Sequence, residues 1–103
     1  MTATKRTHPL APGSTIGIMG GGQLGRMTAL AAGRLGYKCH IYCPETDSPA
    51  AQVSSAVTIG NYDDVVALKS FGKAVDVVTF EFENIPHESV QLLAEYAVVR
   101  PGW

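Results

Sequence analysis

A glycine-rich segment near the start of the chain constrains the fold more than any other feature. Gly20, Gly22 and Gly25 form a G-x-G-x-x-G pattern. The pattern follows a short apolar run, 15–19, and precedes a segment, 23–35, whose apolar residues recur at helical spacing. Glycines at such a turn let the backbone approach an anion, which the free N–H groups of the helix attract. The segment predicts a strand, a tight loop and a helix, with either an anion-binding or a purely structural loop.

Strand-like and helix-like patterns alternate along the rest of the chain. The run 75–80 is the most β-prone and nearly all apolar, so we place it in the centre of the sheet. The alternation predicts an α/β fold, a Rossmann-like doubly wound parallel sheet of about five strands. The other predicted strands are 38–43, 56–59 and 97–99. A second helix is predicted to follow a cap at Asn61 or Asp63, and a third is predicted to span 87–96.

Length and charge limit the classes of function. A chain of 103 residues forms one domain without room for a second catalytic module. Residues 1–14 show no periodicity, which indicates a flexible leader followed by a domain over 15–103. A net charge of -1 offers no basic surface for nucleic acid, and no apolar stretch approaches the roughly 20 residues of a membrane span. We expect a cytoplasmic protein that binds neither nucleic acid nor membrane.

Two cysteines lie four residues apart in the second predicted strand. Cys39 and Cys43 therefore point to one face, too far apart for a disulfide, while His40 points to the other. Buried free thiols are the expected state, and they suit a reducing compartment. No metal site is predicted.

A polar segment, 80–86, follows the predicted central strand. The loops after the first and fourth strands of a doubly wound sheet open onto one crevice, so Glu81 and Gln23 are expected to meet there. An acid and an amide suit hydrogen bonds to the hydroxyls of a sugar or to an amine. The structural alternative is that Glu81 or Glu83 only caps the next helix. We favour the ligand role for Glu81 and a role in stability for Glu83.

The glycine pattern also fits a dinucleotide-binding domain. Such a domain needs an acid about 20 residues further on for the ribose hydroxyls. Glu45 stands at that distance, although it follows Pro44 in a loop that also contains Asp47. An NAD(P)-binding Rossmann domain of an oxidoreductase or sensor is thus one alternative, and a noncatalytic interaction module is another.

Two longer motifs carry a family resemblance. The run 16–27, IGIMGGGQLGRM, is very similar to the opening of the carboxyaminoimidazole ribonucleotide synthases, and 79–86, TFEFENIP, resembles their second signature. The stretch 47–50 also fits, so the resemblance covers roughly residues 15 to 101. It implies a pre-ATP-grasp domain in a purine-biosynthesis ligase that uses ATP to activate bicarbonate and carboxylates 5-aminoimidazole ribonucleotide.

The resemblance also implies roles for particular residues. Gly22, Gln23 and Leu24 would contact the ribonucleotide, and Glu81 would orient its ribose or amine. ATP and Mg²⁺ would bind in an ATP-grasp domain of the same enzyme, which is expected to be a homodimer. Because the chain contains no ATP-grasp elements, we assign no catalytic residue and expect the isolated domain to be inactive and to bind no cofactor alone.

Overall fold

Five parallel strands form one sheet in the computed structural model, which describes residues 11–81 and 85–100. The strand order is 3-2-1-4-5 in chain numbering, and it reverses direction between the first and fourth strands. The predicted α/β doubly wound sheet is confirmed. In chain order the elements are β1 (Thr15–Met19), α1 (Gln23–Arg34), β2 (Lys38–Cys43), a 3-10 turn (Ala51–Val53), β3 (Ala56–Ile59), α2 (Val65–Ala74), β4 (Val77–Phe80), α3 (His87–Ala94) and β5 (Val98–Val99).

The middle strand of the sheet is β1, not the fourth strand as predicted. Ile18 of β1 is in register with Ile41 of β2 on one side and with Thr79 of β4 on the other. β4 lies between β1 and β5. Continuous apolarity reports burial on both faces, which any interior strand has, so it does not identify the middle one.

The two faces of the sheet carry separate hydrophobic clusters. Side chains that alternate along β2 divide between them: Ile41 faces α1, and Tyr42 faces α2 and α3. Strand alternation thus places one helix on one face and two on the other, as right-handed crossovers require. The cluster beneath α1 contains Ile18, Ala29, Ala32, Cys39, Ile41, Cys43 and Ala50; the other contains Met19, Tyr42, Leu68, Phe71, Val75, Val78, Leu93 and Ala97.

Small residues form the buried face of α1. Gly25, Ala29 and Ala32 pack on the sheet, which lets the helix axis approach β2 closely. The apolar residues whose spacing predicts this helix point outward instead. The exposed fractions are 62% for Leu24, 64% for Met27, 46% for Leu30 and 69% for Leu35.

The ends of several elements differ from the predictions. α2 is capped by Asp64, whose side chain accepts a hydrogen bond from the Ala67 N–H, and not by Asn61 or Asp63. α3 ends at Ala94, two residues early, because the chain turns to bring Ala97 into the core. After the C-cap of α1, Leu35, Gly36 takes the left-handed conformation (φ +89) that commonly ends a helix.

The predicted leader is described only from residue 11. There, the Gly13 N–H donates to the Gly36 carbonyl at 2.8 Å, and Lys38 donates to Ser14 at 3.0 Å. The division of the chain at residue 15 stays a prediction.

Both cysteines are buried free thiols, as predicted. Cys39 and Cys43 lie under α1, whereas the His40 ring lies on the other face, edge-on to Phe71 at 5.2 Å between centroids. Within the described residues there is no group of three or more His, Cys, Asp or Glu that could hold a metal ion. No helix in residues 11–81 and 85–100 is long and apolar enough to span a membrane.

Replacing Asp64 with Ala should destabilise the domain. The substitution removes the cap of α2 and leaves the Ala67 N–H without its side-chain acceptor, a loss of about 0.5 to 2 kcal/mol in the free energy of unfolding. Urea denaturation measures this directly. Asp63→Ala is the matched control, with an expected change within about 0.5 kcal/mol; equal losses for both variants would contradict the assignment of the cap.

The stability should also depend on pH through His40. Burial lowers the pKa of this imidazole, and its Nε2 lies 2.7 Å from the Thr58 hydroxyl. Because the unfolded chain binds the proton more readily, the contribution is fully present above about pH 6.5 and is lost as the pH falls.

The free energy of unfolding measured between about pH 5 and pH 7.5 should therefore fall toward acid. His40→Gln should flatten this slope, whereas His87→Gln, an exposed site on α3, should leave it unchanged. An unaltered slope in His40→Gln would disprove the assignment.

Candidate ligand cleft at the carboxyl ends of the strands

The Glu81 carboxylate binds the backbone of the glycine loop. The Gly22 N–H donates to both carboxylate oxygens, at 3.1 Å to Oε1 and 2.9 Å to Oε2. The Gly25 N–H donates to Oε2 at 3.1 Å. Glu81 is itself held in place because its own N–H donates to the Met19 carbonyl at 2.9 Å. The N–H groups at the start of α1 therefore bind an anion that belongs to the protein.

The three glycines of the pattern leave room for this carboxylate. A Cβ on Gly20 would lie 2.6 Å from the Glu81 Cβ, and a Cβ on Gly25 would lie 2.8 Å from Oε2. A Cβ on Gly22 would collide with Oε1. Gly20 also has φ +126, a conformation that residues with side chains rarely adopt. The G-x-G-x-x-G pattern is thus explained by the contact with Glu81, which directly follows β4 and is distant in sequence.

The loop after β2 is fastened to the other side of the glycine loop. The Ala50 N–H donates to the Gly21 carbonyl at 3.0 Å. Ser48 is buried beneath Gly21, where its hydroxyl accepts from the Ala51 N–H at 3.3 Å. Arg26 on α1 donates to the Pro49 carbonyl at 3.2 Å. These contacts fix the loop at the edge of the glycine turn.

An open cleft of about 570 Å³ lies between these loops. It is formed by the segments that follow β1, β2, β3 and β4, at the position where the strand order reverses. This is where doubly wound sheets bind their ligands. The residues that line it are Gly20, Gly21, Gly22, Glu45, Thr46, Asp47, Ser48, Pro49, Tyr62 and Glu81.

The cleft is acidic. Glu45, Asp47 and Glu81 contribute carboxylates, and none of the described lining residues is Lys or Arg. Burial, followed by the nearby Cys43 and the carboxylates of Glu45 and Glu81, raises the pKa of Tyr62, so its phenol stays neutral. Such a surface suits hydroxyl and amine donors and disfavours a phosphate group.

The structure brings together some of the predicted site residues. Gly22 and Glu81 are bonded to each other and line the cleft, and Glu45 also lines it. Gln23 and Leu24 are exposed in the first turn of α1 and are not among the described lining residues, so their contact with a ligand stays a prediction. Glu83 and Asn84 lie outside the described residues.

Sequence reasoning missed Tyr62. Its position three residues after the end of β3 is the signal that could have found it, because the carboxyl end of that strand opens onto the same edge of the sheet. Ser48 was noticed only as part of a family-like stretch. Its function as the buried support of Gly21 follows from the three-dimensional contact alone.

Gly21→Ala should destabilise the domain. The added Cβ would lie 2.5 Å from the Ser48 hydroxyl and 2.9 Å from the Cys43 sulfur, both of which are buried. Overpacking of this kind lowers the free energy of unfolding by about 1 to 3 kcal/mol, measurable by urea denaturation. Gly33→Ala is the control: nothing lies within 4 Å of its Cβ, and the change should stabilise α1 by up to about 1 kcal/mol. Similar effects at both sites would refute the packing described for Gly21.

Comparison with known proteins gives one consistent family. The family model described as "Ribonucleotide synthetase preATP-grasp domain" matches residues 13–102. The chain is 53% identical over 92 residues to the N5-carboxyaminoimidazole ribonucleotide synthase of Brucella melitensis, covering 89% of this chain and 25% of that protein.

Solved structures agree with this match. The synthetase of Staphylococcus aureus, complexed with ADP, superimposes with a TM-score of 0.83 at 43% identity, over 87% of this chain and 24% of that one. The Aspergillus clavatus synthase, in complex with ADP and 5-aminoimidazole ribonucleotide, gives a TM-score of 0.80 at 31% identity, over 89% and 25% of the two chains. The chain thus spans about a quarter of the length of these proteins. It belongs to the preATP-grasp domain family of the ribonucleotide synthetases.

Proposed function

We propose that the chain is the substrate-binding domain of an N5-carboxyaminoimidazole ribonucleotide synthase. The whole enzyme would use ATP and bicarbonate to carboxylate 5-aminoimidazole ribonucleotide in purine biosynthesis. The observation that carries the proposal is the acidic cleft at the strand reversal, where Gly22 and Glu81 lie side by side. The Aspergillus relative, whose structure contains this ribonucleotide, supports the choice of substrate.

The chemistry of the cleft matches one end of the ribonucleotide. Ribose hydroxyls and the exocyclic amine are donors, and the carboxylates of Glu45, Asp47 and Glu81 are acceptors. Glu81 Oε2 accepts from two loop N–H groups, whereas Oε1 shares only that of Gly22, so Oε1 retains more capacity for a ligand donor. We assign to Glu81 the orientation of the ribose or amine.

The remaining contacts come from the start of α1 and from elsewhere in the enzyme. Gln23 and Leu24 would contact the ribonucleotide through side chain and backbone, and Gly22 would line its site. The phosphate group would be held outside this cleft, since its described lining is acidic. ATP and Mg²⁺ would bind in an ATP-grasp domain, which would act as the catalytic partner of this one in a cytoplasmic homodimer.

A chimeric enzyme tests the proposal. Residues 13–102, the range that the family model matches, would replace the corresponding quarter of the Brucella synthase, to which the chain is 53% identical over 92 residues. We expect the chimera to hydrolyse ATP in a manner dependent on 5-aminoimidazole ribonucleotide, whereas the 103-residue chain alone shows no turnover. In the chimera, Glu81→Gln should lower kcat/KM for the ribonucleotide about tenfold to hundredfold, with little change in KM for ATP.

Glu95→Gln on the same chimera is the control, because Glu95 is an exposed residue that lines a separate groove between α2 and α3. A folded chimera without activity, or equal losses in the two variants, would contradict the proposal. The comparisons with known proteins do not favour the dinucleotide alternative, although Glu45 lines the cleft. Saturable micromolar binding of NADH by the 103-residue chain would establish it instead.

A further inference from the structure

The carboxylate of Glu81 occupies the position that a ligand phosphate takes in dinucleotide-binding folds. In those folds, a glycine-rich turn leads into a helix whose first N–H groups bind the pyrophosphate. Here the corresponding N–H groups of Gly22 and Gly25 donate to Glu81, at 2.9 to 3.1 Å. We propose that Glu81 is a positioning residue that acts as the resident anion of this loop, setting its conformation and excluding ligand phosphate from its N–H groups.

Two independent features of the structure support this inference. The loop N–H groups form three hydrogen bonds to the carboxylate, and each bond to an ionised group is stronger than a neutral one. The glycines also fit around the carboxylate sterically: the three nearest atoms to a Cβ on Gly22 all belong to Glu81. An anion from solution would have to displace the carboxylate of Glu81, which is part of the chain and directly follows β4.

The inference does not depend on which ligand fills the cleft. Gly22 has φ −82, a conformation that Ala adopts without strain, so the backbone alone does not require glycine here. Glycine is required because a side chain at residue 22 would collide with Glu81. The cost of an added methyl group at residue 22 should therefore depend on Glu81. At Gly21 the obstacle is Ser48 and Cys43, so the cost there should not depend on Glu81.

A double-mutant cycle on the 103-residue chain tests the steric part. Gly22→Ala should lower Tm by about 5 to 15 °C in the parent and by much less in the Glu81→Ala background. Gly21→Ala should lower Tm equally in both backgrounds. Equal losses from Gly22→Ala with and without Glu81 would overturn the inference.

Titration with small anions tests the electrostatic part. In Glu81→Ala, sodium formate should shift the amide NMR signals of Gly22 and Gly25 saturably and raise Tm, relative to sodium chloride at the same ionic strength. In the parent chain, neither formate nor inorganic phosphate should shift these two signals. Glu81→Gln, which retains an acceptor oxygen of the same reach, should stay closer to the parent in Tm and respond less to formate.

If Glu81→Ala does not fold, the titration of the parent chain still tests the inference. Saturable shifts of Gly22 and Gly25 on addition of inorganic phosphate to the parent would show that the loop N–H groups remain open to ligand anions, which overturns the inference. A folded Glu81→Ala variant whose loop signals ignore formate would overturn it as well.

Discussion

The rest of the site depends on the contact between Glu81 and the glycine loop. This contact joins the segments that follow β1 and β4, the two parallel strands between which the strand order reverses. A carboxylate near a helix N-terminus contributes about 0.3 to 1 kcal/mol through the helix dipole alone, and up to about 2 kcal/mol when partly buried, as Glu81 is. The same contact sets the floor of the cleft, so stability and ligand geometry share one interaction.

The second constraint is the close approach of α1 to the sheet. Gly25, Ala29 and Ala32 present almost no side-chain bulk to the sheet, so α1 lies close to β2, and the N–H groups at its start reach Glu81. A larger residue at Ala29 would raise the helix and pull the N–H of Gly25 away from Glu81. The unusual pattern of α1, with small residues inside and large ones outside, therefore follows from the geometry of the site.

The sequence predicts the order of the elements well, because period-two and period-3.6 patterns are local. The cap of α2 was predicted at Asn61 or Asp63 but is Asp64, because the sequence alone does not tell which of two adjacent aspartates precedes the first helical residue. The sequence did not predict which face of α1 is exposed, because leucine and methionine at helical spacing are typical of a face that packs on the core. The doubly wound pattern placed Glu81 near the glycine loop, but it did not predict the hydrogen bonds from the Gly22 and Gly25 N–H groups to its carboxylate. Glu81 is 59 residues from Gly22, and the register of β1 against β4 sets the distance between them.

The interlocking of Glu81 with Gly20, Gly22 and Gly25 restricts how this loop can change in evolution. A side chain acquired at Gly22 or Gly25 meets the carboxylate, and loss of the carboxylate leaves N–H groups of the loop without their acceptor. Either of these single changes is therefore destabilising. A lineage would reach a phosphate-binding loop of the dinucleotide type only through such an unstable intermediate, despite already carrying the glycine pattern that such loops use.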